Sequence, residues 1–261
     1  MKLAVQEQNF KSDELIERRI ESYWNKRSTE FSQVRRIELN GVNGEAWLNL
    51  LESHIPQTKQ LKILDVGTGA GFFAILLANR GHKVTGIDMS PKMIHEAKKN
   101  MLEFGCRIDF KKMNAQELNF DDESFDVVIS RNLTWTLPNV MQAYREWHRV
   151  LKDGGILLNF DSDYGDKNFL NDQTCAKAEV DNEMLAECNS IKNELKISTH
   201  TRPQWDIDFL TSIGFKVKFD NDIAPLVHKD NNMEYDFVPL FAIYATKFIR
   251  EVPLTNFKSV S

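Results

Sequence analysis

The chain has 261 residues, of which 42% are hydrophobic and 27% charged, and it carries a net charge of −5 at neutral pH. Such a composition is typical of a globular protein with one large core or two small ones. The negative charge argues against general nucleic-acid binding, which needs a basic surface. No apolar run approaches the ~20 residues of a membrane-spanning helix, and the N-terminus lacks the apolar core of a signal peptide. We therefore expect a cytoplasmic protein that binds neither nucleic acid nor a membrane.

Cysteine and histidine usage indicates no metal site. Cys106, Cys175 and Cys188 are an odd number of cysteines without C-x-x-C spacing, which disfavours a disulfide framework or a zinc site. The six histidines are scattered and form no metal-binding pair. Cys106 and Cys188 fall in predicted apolar positions, so we expect them to be buried small side chains.

The N-terminal part of the chain shows helical patterns and no strand pattern. Apolar residues at helical spacing predict an amphipathic helix over residues 12–24, which is followed by a polar segment, Asn25–Gln33. A second helix is predicted over residues 47–55. We therefore expect a helical appendage here, not a separate domain of usual size. Tyr23 and Trp24 lie on the apolar face of the first helix, where aromatic side chains usually pack against a core.

A glycine-rich stretch, LKILDVGTGAGFFA, occupies residues 61–74. Its apolar start predicts a short buried strand over Leu61–Val66, near whose end Asp65 stands. Three glycines then occupy alternate positions, at Gly67, Gly69 and Gly71. Phe72–Ala78 is almost wholly apolar and predicts a buried helix that stops at Gly81. A strand, a glycine turn and a helix N-terminus together let the backbone approach a ligand closely.

Strands and helices then alternate as far as Asp161. Apolar runs predict five successive strands, over residues 61–66, 83–88, 107–113, 125–130 and 156–160. Helical patterns fall between them; Ser90 and Pro91 supply the cap and first residue of one helix, and Gly154-Gly155 ends another. The run 125–130 is nearly all apolar, so we expect it to be a central strand. This alternation predicts a parallel sheet with right-handed crossovers.

The C-terminal third of the chain does not continue this alternation of strands and helices. Residues 161–200 are long for a connection and carry one helical stripe, so the segment is either functional or a solvated decoration. Thr201–Gln204 matches a capping box that opens another helix. Two final strands are predicted over residues 215–219 and 238–247, joined by a loop rich in Asp and Asn over 220–236.

The spacing of the glycines separates two kinds of nucleotide site. A nicotinamide-binding G-x-G-x-x-G counted from Gly67 would need glycine at position 72, which is Phe72. The pattern D-x-G-x-G-x-G instead resembles the class I S-adenosylmethionine-dependent methyltransferases, particularly the small-molecule group that includes the ubiquinone and menaquinone biosynthesis enzymes. Asp88 ends the second strand 21 residues after Gly67, where an acidic residue accepts hydrogen bonds from ribose hydroxyls. The nicotinamide oxidoreductase remains a disfavoured alternative.

The resemblance implies an α/β fold with a doubly wound, seven-stranded, mostly parallel sheet whose last strand is antiparallel. It implies a Rossmann-like methyltransferase domain over residues 61–261, with a helical lid inserted after the fifth strand at 162–200. Residues 1–60 would be an N-terminal appendage that covers the methionine end of the cofactor and part of the acceptor pocket, with Tyr23 as a cofactor contact. The alternative for Tyr23 is simple docking of its helix on the core.

The resemblance also assigns cofactor contacts in the first two strands and their turns. Gly67, Thr68, Gly69 and Gly71 would bring backbone against the cofactor, at positions where a Cβ would clash. Asp65 is similar to the acidic residue that faces the methionine amino group, although it could instead stabilise the turn. Met89 would pack against the adenine beside Asp88.

The resemblance also places contacts after the third and fourth strands. Asn114, Ala115 and Gln116 stand where the family usually has an Asp that accepts from the adenine amino group. The amide oxygen of Asn114 can still accept that hydrogen bond, or Asn114 could cap the short turn that follows. The backbone of Arg131 would meet the methionine part of the cofactor. Asn132 and Trp135 could face the acceptor, or Trp135 could pack beneath the lid.

The predicted activity is transfer of a methyl group from S-adenosylmethionine to a small-molecule acceptor, with S-adenosylhomocysteine as product. Position 130 onward lacks the D-P-P-Y or N-P-P-Y of the resembling base methylases, which again disfavours nucleic acid. The protein's task in such a displacement is alignment and desolvation, and no residue stands out as a general base. A non-catalytic adenosyl-binding protein of the same fold is the alternative, and we expect a monomer or homodimer.

Overall fold

The sheet and its helices are seen in a computed structural model, which describes residues 2–57, 60–171, 180–235 and 238–249, with side chains from Asp13 onward. The strands are β1 Lys62–Val66, β2 Lys83–Asp88, β3 Asp109–Lys112, β4 Phe125–Arg131, β5 Leu151–Ser162, β6 Phe215–Asp220 and β7 Leu240–Lys247. The helices are α1 Lys2–Asn40, α2 Val42–Glu52, α3 Phe72–Asn79, α4 Pro91–Glu103, α5 Val140–Val150, α6 Asn182–Glu194, α7 Gln204–Ser212 and α8 Ala224–Val227. Cys175 and the last residue of the predicted loop, Asp236, lie outside the described residues.

The seven strands form one sheet in the order β3-β2-β1-β4-β5-β7-β6. Strands β1 to β5 are parallel, and β7 lies between β5 and β6, antiparallel to both. The predicted fold class and the central position of β4 are confirmed. The strand order reverses at β1, whose two neighbours are β2 and β4. Open parallel sheets bind ligands at the carboxyl ends of their strands beside such a reversal.

Helices cover both faces of the sheet because its strands are apolar on both sides. One face packs against α5, α6 and α7, around the fully buried Trp147 and Tyr144. The other packs against α2, α3, α4 and α8, around Trp47, Phe73 and Phe160. The three rings of the second group meet edge to face, with centroids 5.1–5.7 Å apart, a geometry that aromatic side chains favour. The sheet is therefore a rigid platform for whatever lies at its strand ends.

The first helix is longer than its sequence pattern indicates. The polar segment Asn25–Gln33 does not interrupt α1, because two of its small polar side chains, Ser28 and Ser32, are buried. Ser32 is 1% exposed, and its hydroxyl accepts a hydrogen bond from Asn100 Nδ2 at 3.1 Å. Asn25 Oδ1 accepts from the hydroxyl of Ser90 at 2.7 Å. A polar segment thus forms a helix interface whose polar groups are paired.

Three predicted boundaries are wrong. Gly154 and Gly155 lie inside β5 and do not end a helix, because Leu151 already pairs with Phe125 of β4. The predicted capping box at Thr201 is absent: α7 begins at Gln204 without a side-chain cap. Arg202 is instead drawn into a buried ion-pair network described below. β7 begins at Leu240, two residues later than predicted.

Among the helices that the described residues form, none is both long enough and apolar enough to span a bilayer. The two cysteines within these residues are unpaired; Cys188 is buried as predicted, whereas Cys106 is only half-buried.

Close packing at Gly86 gives a stability prediction for the sheet. A Cβ at Gly86 in β2 would lie 2.6 Å from two ring carbons of Phe110 and 2.9 Å from the Thr68 hydroxyl. Gly86→Ala should therefore lower the free energy of unfolding by about 1–3 kcal/mol, as overpacking does elsewhere. Denaturant unfolding measures it. The double variant Gly86→Ala, Phe110→Val should lose less stability than the two single changes combined, and strict additivity would contradict the proposed clash.

Candidate active site

The glycine turn joins β1 to α3 in a conformation that requires glycine. Gly67, Gly69 and Gly71 have φ angles of 66°, 53° and 88°, which residues with a side chain rarely adopt. The turn is tied to β2, since Thr68 N donates to Ile87 O at 2.9 Å. Side chains of other segments already approach the turn: a Cβ at Gly67 would lie 2.8 Å from Leu133, and one at Gly69 would lie 3.1 Å from Phe31. These side chains pack directly against the turn, so neither glycine has room for a Cβ.

The side chain of Asp65 stabilises this turn through hydrogen bonds. Its Oδ2 accepts hydrogen bonds from the Thr68 hydroxyl at 2.6 Å and from Ala74 N at 3.1 Å. Burial raises the pKa of Asp65 to about 7, although these two hydrogen bonds oppose the shift. Asp65, Thr68 and Gly71 do not line the cavity described below. The geometry therefore favours the turn-stabilising alternative for Asp65 over the predicted contact with a methionine amino group.

Asp88 stands at the carboxyl end of β2, beside the turn. Its Oδ2 accepts from Gly69 N at 3.0 Å and its Oδ1 accepts from Ser90 N at 2.8 Å. Burial raises the pKa of this carboxyl to about 6, against the effect of the two hydrogen bonds. An ionised carboxylate has about four acceptor positions, so one remains on each oxygen. Asp88 lines the cavity together with Met89, so a pair of adjacent donors could reach it.

A cavity of about 530 Å³ lies between α1 and the strand ends. It is lined by every predicted cofactor residue except Asp65, Thr68 and Gly71. Helix α1 contributes side chains to the cavity wall, most of them three or four residues apart. They include Glu17, Ile20, Tyr23, Trp24, Arg27, Phe31, Val34 and Arg35. A helix presents one face at this spacing. The cavity thus has a floor of strand ends and a roof that one helix face provides.

In the turn after β3, side-chain amides form hydrogen bonds within the turn and to α1. Asn114 Oδ1 accepts from Gln116 N at 3.0 Å, so Asn114 caps the turn, as the alternative for this residue predicts. Asn114 Nδ2 and Gln116 Nε2 both donate to Glu17 Oε1 of α1, at 3.0 and 2.6 Å. Asn114, Ala115 and Gln116 all line the cavity, and Glu17 joins them there.

Arg131 connects the end of β4 to the end of α1. Its guanidinium donates to both carboxylate oxygens of Glu38, at 2.9 and 3.2 Å, and lies 4.5 Å from the ring centroid of Trp47. Burial alone would raise the pKa of Glu38, but the charges of Arg131 and Arg35 outweigh it and hold that pKa below its ordinary value. The side chain of Arg131 is therefore committed to α1, which leaves its backbone for the predicted ligand contact.

The far end of the cavity is aromatic. Trp135 belongs to a 3-10 turn, Thr134–Thr136, that follows β4. Its ring lies 4.9 Å from that of Tyr164 and 5.7 Å from that of Phe169, centroid to centroid. All three side chains line the cavity, as does Asn132, whose φ is 52°. Trp135 therefore both packs against the segment after β5 and faces the cavity, which combines the two predicted alternatives.

A buried polar network fixes this 3-10 turn. Arg202 donates to both oxygens of Asp206, at 2.8 Å each, and to Asp161 Oδ2 at 3.2 Å. The same Asp161 oxygen accepts from the Thr134 hydroxyl and, at 3.0 Å, from Trp135 N. Tyr144 donates to Asp206 at 2.6 Å. Because these groups are buried and mutually paired, losing one partner would leave a buried charge uncompensated.

Several cavity residues were not predicted from the sequence. Glu17 and Val34 continue the α1 stripe, whose heptad-like spacing was available but hidden by the polar segment. Tyr164 and Phe169 follow β5 and carry no periodic pattern that could have marked them. The loop after α8 contributes Asn232, Met233 and Glu234, because Asn43 of α2 accepts from Lys229 N and Asp230 N at 2.7 and 2.9 Å.

Comparison with known proteins bears on this arrangement. Residues 64–159 match the family model described as Methyltransferase domain. The ubiquinone biosynthesis O-methyltransferase of Stutzerimonas stutzeri is 31% identical over 133 residues, which cover 51% of this chain and 54% of that protein. The demethylmenaquinone methyltransferase of Chlorobaculum tepidum is 41% identical over 98 residues, 37% of this chain and 39% of that protein. The chain thus spans about half the length, or less, of these curated relatives.

A solved structure extends the likeness of fold beyond the matched segment. The S-adenosylmethionine dependent methyltransferase from Mesorhizobium loti superposes with a TM-score of 0.57 at 19% identity, covering 79% of this chain and all of that one. The fold is therefore the Rossmann-like fold of methyltransferases. Over residues 64–159, the chain is similar in sequence to methyltransferase domains.

The protonation of Asp65 gives a prediction for stability against pH. With a pKa of about 7 in the folded protein and about 4 when unfolded, Asp65 holds a proton in the folded state that the unfolded chain has released. Stability should therefore fall as the pH rises through this window. The side chain of the Asp65→Asn variant cannot titrate. The decrease in its free energy of unfolding between pH 5 and pH 7.5 should therefore be smaller by on the order of 3 kcal/mol.

Urea unfolding at the two pH values measures this change. Asp109→Asn, an exposed carboxylate of β3, is the matched control and should keep the slope of the unaltered protein. An unchanged slope in Asp65→Asn would contradict the assignment.

Proposed function

We propose that the chain is an S-adenosylmethionine-dependent methyltransferase that acts on a small molecule. The observation that carries the proposal is Asp88, which ends β2 beside two bare glycines and opens onto one cavity. Its two remaining acceptor positions suit the adjacent hydroxyls of a ribose. Gly67 and Gly69 line the cavity without side chains, so the cofactor could contact their backbone. The family match over residues 64–159 supports the same assignment.

The positions of the other residues around the cavity suggest which part of the cofactor each would contact. Met89 and Met113 would pack against the adenine, with Asn114, Ala115 and Gln116 at its edge. Tyr23 of α1 and the backbone of Arg131 would enclose the methionine end. Thr68 and Gly71 shape the turn, and Asp65 holds it. When bound, the cofactor supplies an electrophilic methyl group, and the chain supplies alignment and exclusion of water.

The aromatic end of the cavity would hold the acceptor. Trp135, Tyr164 and Phe169 form a wall suited to a flat, largely apolar molecule. Two curated relatives are named ubiquinone biosynthesis O-methyltransferase and demethylmenaquinone methyltransferase, and these names are consistent with an acceptor of this kind. Asn132 would orient it by a hydrogen bond. The buried Arg202 network is a positioning device, since it holds Trp135 through Asp161.

Two helices would act as a lid over this site. Arg19 of α1 pairs with Glu187 and Glu194 of α6, at 2.9 and 2.6 Å. Tyr23 lies against Cys188 of α6, so the contact continues into the cavity wall. We propose that the N-terminal appendage of residues 1–60 and the insertion of residues 162–200 close together over the domain of residues 61–261. Absence of nucleic acid, membrane and metal, a monomer or homodimer, and a cytoplasmic location stay predictions.

Ligand binding tests the cofactor assignment. S-adenosylhomocysteine at millimolar concentration should raise the melting temperature, because a ligand that binds only the folded state stabilises it. Asp88→Ala should abolish this shift, whereas Asp109→Ala on the neighbouring strand should retain it. The absence of any shift with the unaltered protein would overturn the proposal, and a shift with NAD instead would favour an oxidoreductase.

The pH dependence of that binding tests the role of Asp88 itself. Only the ionised carboxylate keeps all its acceptor positions, and its pKa is about 6 in the ligand-free protein. Affinity for S-adenosylhomocysteine should therefore rise from pH 5 to pH 7 and level off above it. Isothermal titration calorimetry measures this dependence. Asp88→Asn should bind more weakly and lose the component of the pH dependence that is centred near pH 6.

Methyl transfer separates an enzyme from a non-catalytic adenosyl-binding protein. Incubation with cofactor labelled in its methyl group and a metabolite extract should yield a labelled small molecule. Trp135→Ala should lower its formation about tenfold, by loss of aromatic contacts with the acceptor, and leave the thermal shift unchanged. Trp205→Ala, a half-buried tryptophan away from the cavity, is the control. Cofactor binding without any labelled product would favour the non-catalytic alternative.

A further inference from the structure

The α1 helix brings a carboxylate to the turn after β3. Glu17 is half-buried and lines the cavity with Met89, Met113 and Ala115. Its Oε1 accepts from Asn114 Nδ2 at 3.0 Å and from Gln116 Nε2 at 2.6 Å. Two amide donors on one oxygen fix the orientation of the carboxyl group. Within the described residues, Glu17 Oε2 has no hydrogen-bond partner.

The amide oxygens at this edge are already committed. Asn114 Oδ1 accepts from Gln116 N at 3.0 Å and from Gln116 Nε2 at 3.3 Å. Gln116 Oε1 accepts from Asn139 N at 2.6 Å, which ties the turn to the start of α5. An amide oxygen has two lone pairs, so Asn114 has little acceptor capacity left. The strongest available acceptor here is therefore the second oxygen of Glu17, which carries formal charge.

Strand register places the Glu17 carboxylate at the end of β3, the strand that pairs with β2 at Asp88. Asp88 pairs with Lys112 of β3, and Met113 N donates to Asp88 O at 3.0 Å. The turn that holds Glu17 thus begins two residues after the partner of Asp88. A nucleoside whose ribose meets Asp88 would extend its base across β3, between Met89 and Met113, toward Glu17. That edge of an adenine bears a 6-amino group, a hydrogen-bond donor.

We propose that Glu17 reads the adenine of the cofactor by accepting a hydrogen bond from its 6-amino group through Oε2. The proposal rests on the adenosyl ligand of the proposed function and adds the residue that selects its base. The carboxylate then comes from the roof of the cavity, in α1, while Asn114 and Gln116 act as positioning residues that orient it. A 6-oxo base would present a carbonyl oxygen to this carboxylate and would be rejected.

Competing nucleosides test this assignment on the full chain. Calorimetry compares S-adenosylhomocysteine with S-inosylhomocysteine, which has a 6-oxo group and a protonated N1 in place of the 6-amino group and the unprotonated N1. The unaltered protein should prefer the adenosyl compound by about 10- to 100-fold, the effect of one hydrogen bond to a charged group. In Glu17→Gln the preference should fall to within a fewfold, because an amide can donate to the oxo group as well as accept from the amino group.

Glu21→Gln is the matched control, one turn further along α1. Glu21 pairs with Lys112 at 3.0 Å and does not line the cavity, so its variant should keep the full preference. Glu17→Ala should also lose the preference, and the melting temperatures of the ligand-free variants should show that each one folds.

The outcomes separate the two proposals. If neither compound binds the unaltered protein, the adenosyl site fails and the role of Glu17 fails with it. If S-adenosylhomocysteine binds but Glu17→Gln and Glu17→Ala keep the unaltered preference, the adenosyl site stands and the inference about Glu17 is overturned. Base selection would then lie with the turn after β3 alone.

Discussion

The docking of α1 along the carboxyl edge of the sheet determines what the rest of the structure can do. The helix contacts the turn after β3 through Glu17, the start of α4 through Asn25, the glycine turn through Phe31 and the end of β4 through Glu38. These contacts are polar at three of the four points. One helix of 39 residues therefore forms the roof over several strand ends that are far apart in the sequence.

The sheet and the glycine turn could be predicted because their residues act locally. A short apolar run, a glycine needed for positive φ and a carboxylate at a strand end each depend on near neighbours in the chain, so Gly67 and Asp88 were found where expected. Asp65 shows the limit of this approach. The same carboxylate suits a ligand or a buried hydroxyl, and only the packing of Thr68 and Ala74 around it distinguishes the two.

The roof of the cavity could not be predicted because its contacts join distant segments. Ser28 and Ser32 suggest a solvated stretch until α4 is placed beside them. Glu17 joins the turn after β3 only through Asn114 and Gln116, about a hundred residues away. Arg202 belongs to a matched capping motif by sequence, yet burial beside Asp161 and Asp206 gives it a different role. Long-range polar pairing of this kind leaves no periodic pattern.

The shared roof has a thermodynamic consequence for the order of binding. A ligand that holds α1 against the sheet reduces the conformational entropy that a second ligand must still remove. The proposed cofactor residues and the aromatic residues Trp135, Tyr164 and Phe169 line one cavity, and this helix is its roof. Binding at either end would therefore favour binding at the other by the same factor. Such coupling would need no rearrangement of the seven strands, because the sheet is common to all states of the helix.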